Sequence, residues 1–275
     1  MGDTAIKTPS QSELNIRPIG AFAGEVRGLD LSAALDDSTI AQLRKAWLDH
    51  SILVIREQKL TDEQLVAFSR RWGKLDLVTL FDYDRTGILP EVDVITNRRV
   101  EGKEVGAAGS RELVWHSDGV AYKLPSTATI NYGAEIPSGC VATRFANTRI
   151  SYEALPQALK DKFQDLQCEW TPIYSGQMKL PDPVVRPIVL THPETGRKAI
   201  YLGNETAGRV VGVSEEESRH LLKQLWDHTT KPEFVWEQQW QQGDVIIWDN
   251  RCLIHARGSI TSDAPRTLRR VTVHD

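Results

Sequence analysis

The N-terminal third of the chain shows both helical and strand patterns of apolar residues. Leu43 and Trp47 belong to an apolar stripe at helical spacing, which predicts a helix with Asp37 or Ser38 as its N-cap. The β-branched run at 51–56 follows and predicts a buried strand. Thr61 and Gln64 then form a capping box, which predicts a second helix.

From about residue 113 to the end, strand patterns dominate, interrupted by helical patterns at 151–165, where Pro156 indicates a break, and after the capping box at Ser214. The predicted strands are 127–134, 140–145, 185–190, 198–202, 234–240, 245–248, 251–256 and 268–273. Strict β–α alternation is absent, and no GxGxxG follows a first strand. This order favours a mainly β fold, a β-sandwich or jelly roll with flanking helices packed on one side.

Composition indicates an ordinary globular protein, predicted as one domain over residues 1–275 with a flexible lead-in at 1–15. A formal net charge of -4 gives no general attraction to nucleic acid or to an anionic membrane. Two charged or proline-rich loops, 98–114 and 171–186, are candidate lids over a site.

The three cysteines are widely spaced and contain no CxxC pair. This pattern argues against a disulfide framework or a zinc ribbon and fits the reducing cytoplasm. The polar N-terminus predicts no secretory signal, and no apolar run is long enough to span a bilayer. The sequence leaves a homo-oligomer open.

The motif with the clearest chemistry is Trp115-His116-Ser117-Asp118-Gly119. On an extended backbone, His116 and Asp118 point to the same side. With a second histidine, for which His255 is the best candidate, they would form the facial triad of a non-haem Fe(II) site. The alternative is that the His-x-Asp pair arose by chance and that His255 is an ordinary core or surface residue.

A cationic segment closes the last predicted strand. In a regular strand, Arg266, Leu268 and Arg270 share one face, while Thr267 and Arg269 share the other. Inward guanidiniums would require anions, for which arginine is well suited. The alternative is an exposed basic edge that discourages edge-to-edge pairing.

Taken together, WHSD at 115–118, a threonine at 143 in the strand 142–145, IWDNR at 247–251, His255 and RTLRRVTV at 266–273 resemble the taurine dioxygenase/TfdA family. The resemblance extends over nearly the whole chain. It implies a double-stranded β-helix (jelly-roll, cupin-like) core and an enzyme that depends on Fe(II), 2-oxoglutarate and O2.

The resemblance also implies roles for individual residues. His116, Asp118 and His255 match the iron ligands, and Arg266 with Thr143 matches the pair that binds the distal carboxylate of 2-oxoglutarate. Arg270 matches the position that binds the substrate's anionic group. The carboxylate of Asp118 favours hydroxylation or desaturation over halogenation.

The resulting hypothesis is an oxygenase that hydroxylates or desaturates a small organic acid, a carboxylate or sulfonate, and releases succinate and CO2. An alternative is a tailoring hydroxylase or desaturase of natural-product biosynthesis. A different class of protein, a barrel that binds a metal or ligand without turnover, is also compatible with the motifs. The acidic charge balance counts against nucleic-acid demethylation.

Overall fold

The computed structural model describes residues 13–79, 83–173 and 181–275. The helices are α1 (Asp37–His50), α2 (Asp62–Ser69), α3 (Thr148–Glu153), α4 (Gln157–Phe163) and α5 (Glu215–Thr229), with a 3-10 turn at Pro232–Phe234. The strands are β1 (Asn15–Pro18), β2 (Ala23–Arg27), β3 (Ile52–Ile55), β4 (Lys74–Leu75), β5 (Asp93–Thr96), β6 (Arg99–Val100), β7 (Lys103–Glu104), β8 (Ala107–Ala108), β9 (Leu113–His116), β10 (Ala128–Glu135), β11 (Thr143–Asn147), β12 (Gln167–Trp170), β13 (Val184–Pro187), β14 (Val189–Thr191), β15 (Lys198–Ile200), β16 (Gly208–Val210), β17 (Val235–Gln238), β18 (Val245–Asp249), β19 (Leu253–Arg257) and β20 (Thr267–His274).

Two sheets form the core of the fold. The larger has nine strands, in the order β1-β2-β3-β18-β10-β20-β5-β8, with β4 also paired to β20. The smaller has four, in the order β17-β11-β19-β9. Apolar side chains from both sheets meet in one buried cluster, among them Phe145 and Leu253 from the smaller sheet and Trp248 and Leu268 from the larger. The predicted jelly-roll, double-stranded β-helix architecture is confirmed.

Helices α1 and α2 cover the other face of the larger sheet. Leu43 and Trp47 of α1 and Leu65 of α2 pack in a second cluster with sheet residues such as Leu53 and Val271. The central strands are therefore buried on both faces, which explains why the run 52–55 is apolar at every position. On the other side of the molecule, Leu221 of α5 packs with Ala146 and Ile254 of the smaller sheet. Helices therefore cover both sheets, and the prediction that they pack on one side is wrong.

Local signals predicted the starts of α1, α2 and α5 to within about two residues, whereas α3 begins at Thr148, three residues before the predicted start at 151. Thr61 and Gln64 form the reciprocal capping box, and Pro156 lies at the N-cap of α4, between the two short helices of the predicted segment. Helix α1 is capped by Asp36, whose side chain accepts from the Thr39 amide. The cap is thus one residue before Asp37, the earlier of the two caps that the sequence predicts.

Strand β20 lies in the interior of the larger sheet, between β10 and β5. The reading of its arginines as an exposed basic edge is therefore wrong. Arg266 is 1% exposed, and Leu268 is buried in the core between the sheets. Thr267 and Arg269 line a separate groove on the other side.

Of the predicted lead-in, residues 1–12 lie outside the described part, and Asn15 begins β1. Of the predicted lid 171–186, residues 174–180 lie outside it, and residues from Val184 onward belong to β13. The other lid, 98–114, contains the short strands β6, β7 and β8 and reaches into β9. None of the described helices combines the length and the apolar character that crossing a membrane requires.

Candidate active site

His116 and His255 lie side by side on two paired strands. β9 and β19 run antiparallel, and the two histidines are direct partners in the register. Their ring centroids lie 4.1 Å apart. Asp118 follows two residues after His116, and one potential ligand atom from each of the three side chains lies within 4.8 Å of the others. The fold therefore brings together the three side chains that the sequence predicted to share one point.

The residues around Asp118 direct its side chain toward the histidines. Ser117 turns the opposite way, and its hydroxyl donates to the carbonyl of Asn250 at 2.9 Å. Gly119 has a φ of +76°, and a Cβ at this position would lie 2.1 Å from the Oγ of Ser126. Only glycine therefore permits the sharp turn immediately after Asp118.

Each imidazole has one ring nitrogen that makes no hydrogen bond to the described protein. The Nδ1 of His116 lies 2.7 Å from the carbonyl of Val114, and because a carbonyl only accepts, Nδ1 carries a proton and Nε2 is the nitrogen that a metal could use. Burial, followed by the nearby His116, lowers the pKa of His255 to about 3, so its ring is neutral near neutral pH. Trp248 and Phe145 pack against the His255 ring at centroid distances of 5.0 and 5.8 Å. Its Nδ1 has no hydrogen-bond partner among the described residues.

Asp118 is an ionised carboxylate held in one orientation. Burial by itself would raise its pKa, but the electrostatic interactions with His255, Arg270 and His116, together with the hydrogen bond from Thr129, outweigh burial and hold the pKa at about 2. The hydroxyl of Thr129 donates to Oδ2 at 2.8 Å. The other oxygen, Oδ1, lies 3.8 Å from Nε2 of His116 and 3.6 Å from Nη1 of Arg270.

A buried chain of hydrogen bonds supports this carboxylate from behind. The indole of Trp248 donates to Oδ1 of Asn250 at 2.9 Å, and Nδ2 of Asn250 donates to the Thr129 hydroxyl at 2.9 Å. Because that oxygen accepts from Asn250, its proton is directed to Asp118. Sequence reasoning missed Thr129 and the role of Asn250. The signal that could have indicated Asn250 was its position in IWDNR at 247–251, a segment already used for the family resemblance.

Arg266 and Thr143 are brought together by the indole of Trp240. The guanidinium of Arg266 lies 5.7 Å from the Trp240 ring. The indole N–H donates to the Thr143 hydroxyl at 2.9 Å. Burial lowers the pKa of Arg266, and Cys140 opposes that shift. Within residues 13–79, 83–173 and 181–275, the Nε and Nη2 of Arg266 have no hydrogen-bond partner.

Arg270 lies between two carboxylates. Its Nη2 donates to Oδ2 of Asp93 at 2.6 Å, and its Nη1 lies 3.6 Å from Oδ1 of Asp118. Burial would lower the pKa of Arg270, but Asp93 and Asp118 outweigh burial and raise it. Asp93 also accepts from the phenol of Tyr83 at 2.7 Å. The guanidinium is thus fixed beside the three clustered side chains.

A cavity of about 540 Å³ opens onto this cluster, and His116, Asp118 and Arg270 are among the residues that line it. Three exposed apolar side chains also line this cavity: Leu77, Leu124 and Ile173. Arg266 and Thr143 are absent from its described lining and are both buried.

Two histidines and one carboxylate on a jelly-roll core, next to a cavity, form the arrangement of non-haem Fe(II) oxygenases. The model of the taurine catabolism dioxygenase TauD, TfdA family matches residues 15–272. The chain belongs to this family.

The chain is 31% identical to the alpha-ketoglutarate-dependent 2,4-dichlorophenoxyacetate dioxygenase of Cupriavidus pinatubonensis, over 92% of this chain and 95% of that one. It superposes on the crystal structure of a taurine dioxygenase from Burkholderia xenovorans with a TM-score of 0.81, at 31% identity, covering 96% of this chain and 92% of that one. It also matches AAD-2 in complex with Mn(II) and N-oxalylglycine, with a TM-score of 0.81 and 30% identity, covering 95% of this chain and 96% of that one.

The predicted enzyme class is therefore confirmed: the protein is an Fe(II)- and 2-oxoglutarate-dependent dioxygenase that uses O2. The alternative of a protein that binds a metal or ligand without catalysis does not agree with membership of this dioxygenase family.

Proposed function

We propose that the enzyme hydroxylates or desaturates a small organic acid that has an anionic head and an apolar body, with release of succinate and CO2. The observation that carries the proposal is the cluster of His116, Asp118 and His255 beside a cavity that also contains Arg270. The relatives named above act on a phenoxyacetate and on taurine, which carry a carboxylate and a sulfonate respectively.

The chemistry of the donor set fits Fe(II) at His116, Asp118 and His255. Two neutral imidazoles and one carboxylate are the ligands of a facial triad, and the unpartnered Nδ1 shows that part of the buried His255 ring is unused by the protein. When bound, the iron supplies the redox chemistry by which O2 oxidises the substrate as 2-oxoglutarate becomes succinate and CO2. The protein's part is to orient the ligands, with Thr129 holding one oxygen of Asp118.

Arg266 and Thr143 fit the distal carboxylate of 2-oxoglutarate. The Nε and Nη2 of one guanidinium form the side-on fork that binds a carboxylate through two parallel hydrogen bonds, and these are the two atoms of Arg266 left without partners in the described chain. The hydroxyl oxygen of Thr143 accepts from Trp240, so its proton is available for the same carboxylate.

Arg270 fits the anionic head of the substrate. It lines the cavity and its Nε has no partner in the part of the chain that the structure describes. Asp93 neutralises part of its charge, so an acid bound there is oriented by hydrogen bonds beside the metal cluster. The apolar residues Leu77, Leu124 and Ile173 then offer contacts for the rest of the molecule.

The test is a screen for substrate-stimulated succinate formation with Fe(II), 2-oxoglutarate and O2. Aryloxy and alkyl carboxylates, sulfonates and sulfate esters are compared with neutral amides or alcohols of the same carbon skeleton. Mass analysis of the product separates hydroxylation, a gain of one oxygen, from desaturation, a loss of two hydrogens. Equal stimulation by acids and their neutral counterparts would contradict an anionic substrate.

A variant pair links the substrate to Arg270. Arg270→Met should raise KM for the acid far more than KM for 2-oxoglutarate, whereas Arg269→Met is a matched control because Arg269 lines the groove on the opposite side of β20.

A cytoplasmic location agrees with three cysteines that are all free thiols.

A further inference from the structure

A second buried arginine lies near the candidate 2-oxoglutarate pocket. Arg257 is 2% exposed. Its Nη2 donates to the carbonyls of Gly109 at 3.3 Å and Arg111 at 2.7 Å. Its Nε and Nη1 are buried and have no hydrogen-bond partner among the residues that the structure describes.

The register of the smaller sheet places Arg257 beside the cosubstrate residues. Arg257 follows His255 by two positions on β19, so both side chains point to the same face. It is also the direct cross-strand partner of Thr143 on β11. Burial, followed by the positive charge of Arg266, lowers the pKa of Arg257 to about 10, as expected of two neighbouring guanidiniums.

The charge around this pair is unbalanced. Among the described residues, neither Arg257 nor Arg266 has a carboxylate within ion-pair distance, although the protein contains many other arginine–carboxylate pairs. Two buried cations that repel each other are unfavourable without an anion, and unpaired buried donors add to the penalty. The site is therefore prepared for negative charge that the protein does not supply.

We propose that Arg257 is a second guanidinium for the distal carboxylate of 2-oxoglutarate, and that its bonds to Gly109 and Arg111 couple cosubstrate binding to the segment 104–112. The proposal rests on the function proposed above. In the bound state, Nε and Nη2 of Arg266 donate to the carboxylate, and Nε or Nη1 of Arg257 donates a further hydrogen bond. Nη2 of Arg257 keeps its hydrogen bonds to the carbonyls of Gly109 and Arg111.

The coupling reaches the substrate cavity through the same segment. Ala107 lines that cavity, and Gly109 and Arg111 follow it by two and four positions. An anion that binds Arg257 would therefore restrain the segment 104–112, which contributes Ala107 to the wall of the substrate cavity. Binding of 2-oxoglutarate would then organise the cavity before the substrate enters.

The test compares two keto-acids by calorimetry on the Mn(II)-loaded protein: 2-oxoglutarate, and 2-oxopentanoate, which lacks the distal carboxylate. Arg257→Met should weaken 2-oxoglutarate by about 10- to 100-fold, the usual loss for a hydrogen bond to a charged group, and leave 2-oxopentanoate unchanged. Arg257→Lys should recover part of the loss. Arg144→Met is the matched control, because Arg144 lies one position from Thr143 and stacks on Trp115 at 5.1 Å instead.

Equal losses for both keto-acids, or no loss for either, would overturn the role of Arg257 in binding the carboxylate. Hydrogen exchange on the wild-type protein tests the coupling without any variant: 2-oxoglutarate should protect the amides of 104–112, and 2-oxopentanoate should not. Identical protection by the two ligands would refute the coupling even if the variants fail to fold. If the wild-type protein with Mn(II) does not bind 2-oxoglutarate at all, the failure lies in the proposed function itself.

Discussion

Replacing Arg266 by methionine tests the cosubstrate pocket most directly. The side chain is 1% exposed, and its Nε and Nη2 have no partner within the described ranges. Met removes the charge and keeps much of the aliphatic volume against Trp240. The distal carboxylate of bound 2-oxoglutarate would then stay buried without the two hydrogen bonds from Nε and Nη2 of Arg266.

The expected loss follows from breaking a buried ion pair. Removing one partner and leaving the other charge buried costs about 3–5 kcal/mol, and every 1.4 kcal/mol is about a tenfold change in affinity. The dissociation constant of 2-oxoglutarate should therefore rise by about 10²- to 10³-fold or more. Calorimetry with Mn(II) in place of Fe(II) measures it without turnover.

The same substitution should act differently on the protein alone. Without cosubstrate, Arg266 is a buried cation with no carboxylate partner in the described chain. Methionine relieves that desolvation, so the free energy of unfolding without ligand should stay the same or increase. Chemical denaturation with and without 2-oxoglutarate measures both effects. Unchanged affinity, or a large loss of stability in the free protein, would refute this account of Arg266.

Three further predictions address the metal cluster and the C-terminal strand. His255→Ala should abolish Fe(II)-dependent succinate formation while the circular dichroism spectrum stays native, and an active variant would break the assignment of the triad. Thr129→Val should weaken Mn(II) binding by about 10- to 100-fold, as is typical for residues that orient a metal ligand, whereas Thr129→Ser keeps the hydroxyl to Asp118 and should bind normally; equal affinities for Val and Ser would remove that role. The carboxylate of Asp76, 3.6 Å from Nε2 of His274, raises the pKa of this histidine above its ordinary value. The stabilising effect of the pair is therefore present below the unfolded pKa and is lost as pH rises through the folded pKa. His274→Gln should accordingly lower the melting temperature more at about pH 5.5 than at about pH 8.5, and a loss that does not depend on pH would contradict the ion pair.

The sequence predicted correctly those features that depend on residues a few positions apart. The alternation of a strand predicted that His116 and Asp118 aim at one point and that Arg266 and Arg270 share a face, and these relations depend only on neighbours two to four positions away. The capping box at Thr61 is equally local. His255 lies more than a hundred positions downstream of Asp118. No local period connects the two, so the family resemblance was needed to support its choice as the second histidine.

What the sequence did not predict depends on pairing between distant strands. Thr129 supports Asp118 only because β10 and β18 pair in a register that also brings in Asn250. The position of β20 between β10 and β5 is likewise set by long-range contacts, so the choice between a buried and an edge strand could not be made locally. The role proposed for Arg257 could not be predicted from its local sequence, because it depends on the pairing of Arg257 with Thr143 on the neighbouring strand.

A comparison of the buried arginines separates structural roles from binding roles. Arg251, 5% exposed, donates from Nε and Nη2 to Asp249 and from Nη1 to Glu194, which together satisfy its charge. The fold is therefore able to pair a buried guanidinium with its own carboxylates. Arg266 and Arg257 are buried to a similar degree, yet each retains two unpartnered donors in the described structure. Arg257 pairs with Thr143 across the strands, and Arg266 lies over Trp240, which donates to the Thr143 hydroxyl. We therefore propose that the missing partner of both arginines is the dicarboxylate cosubstrate that this enzyme class requires.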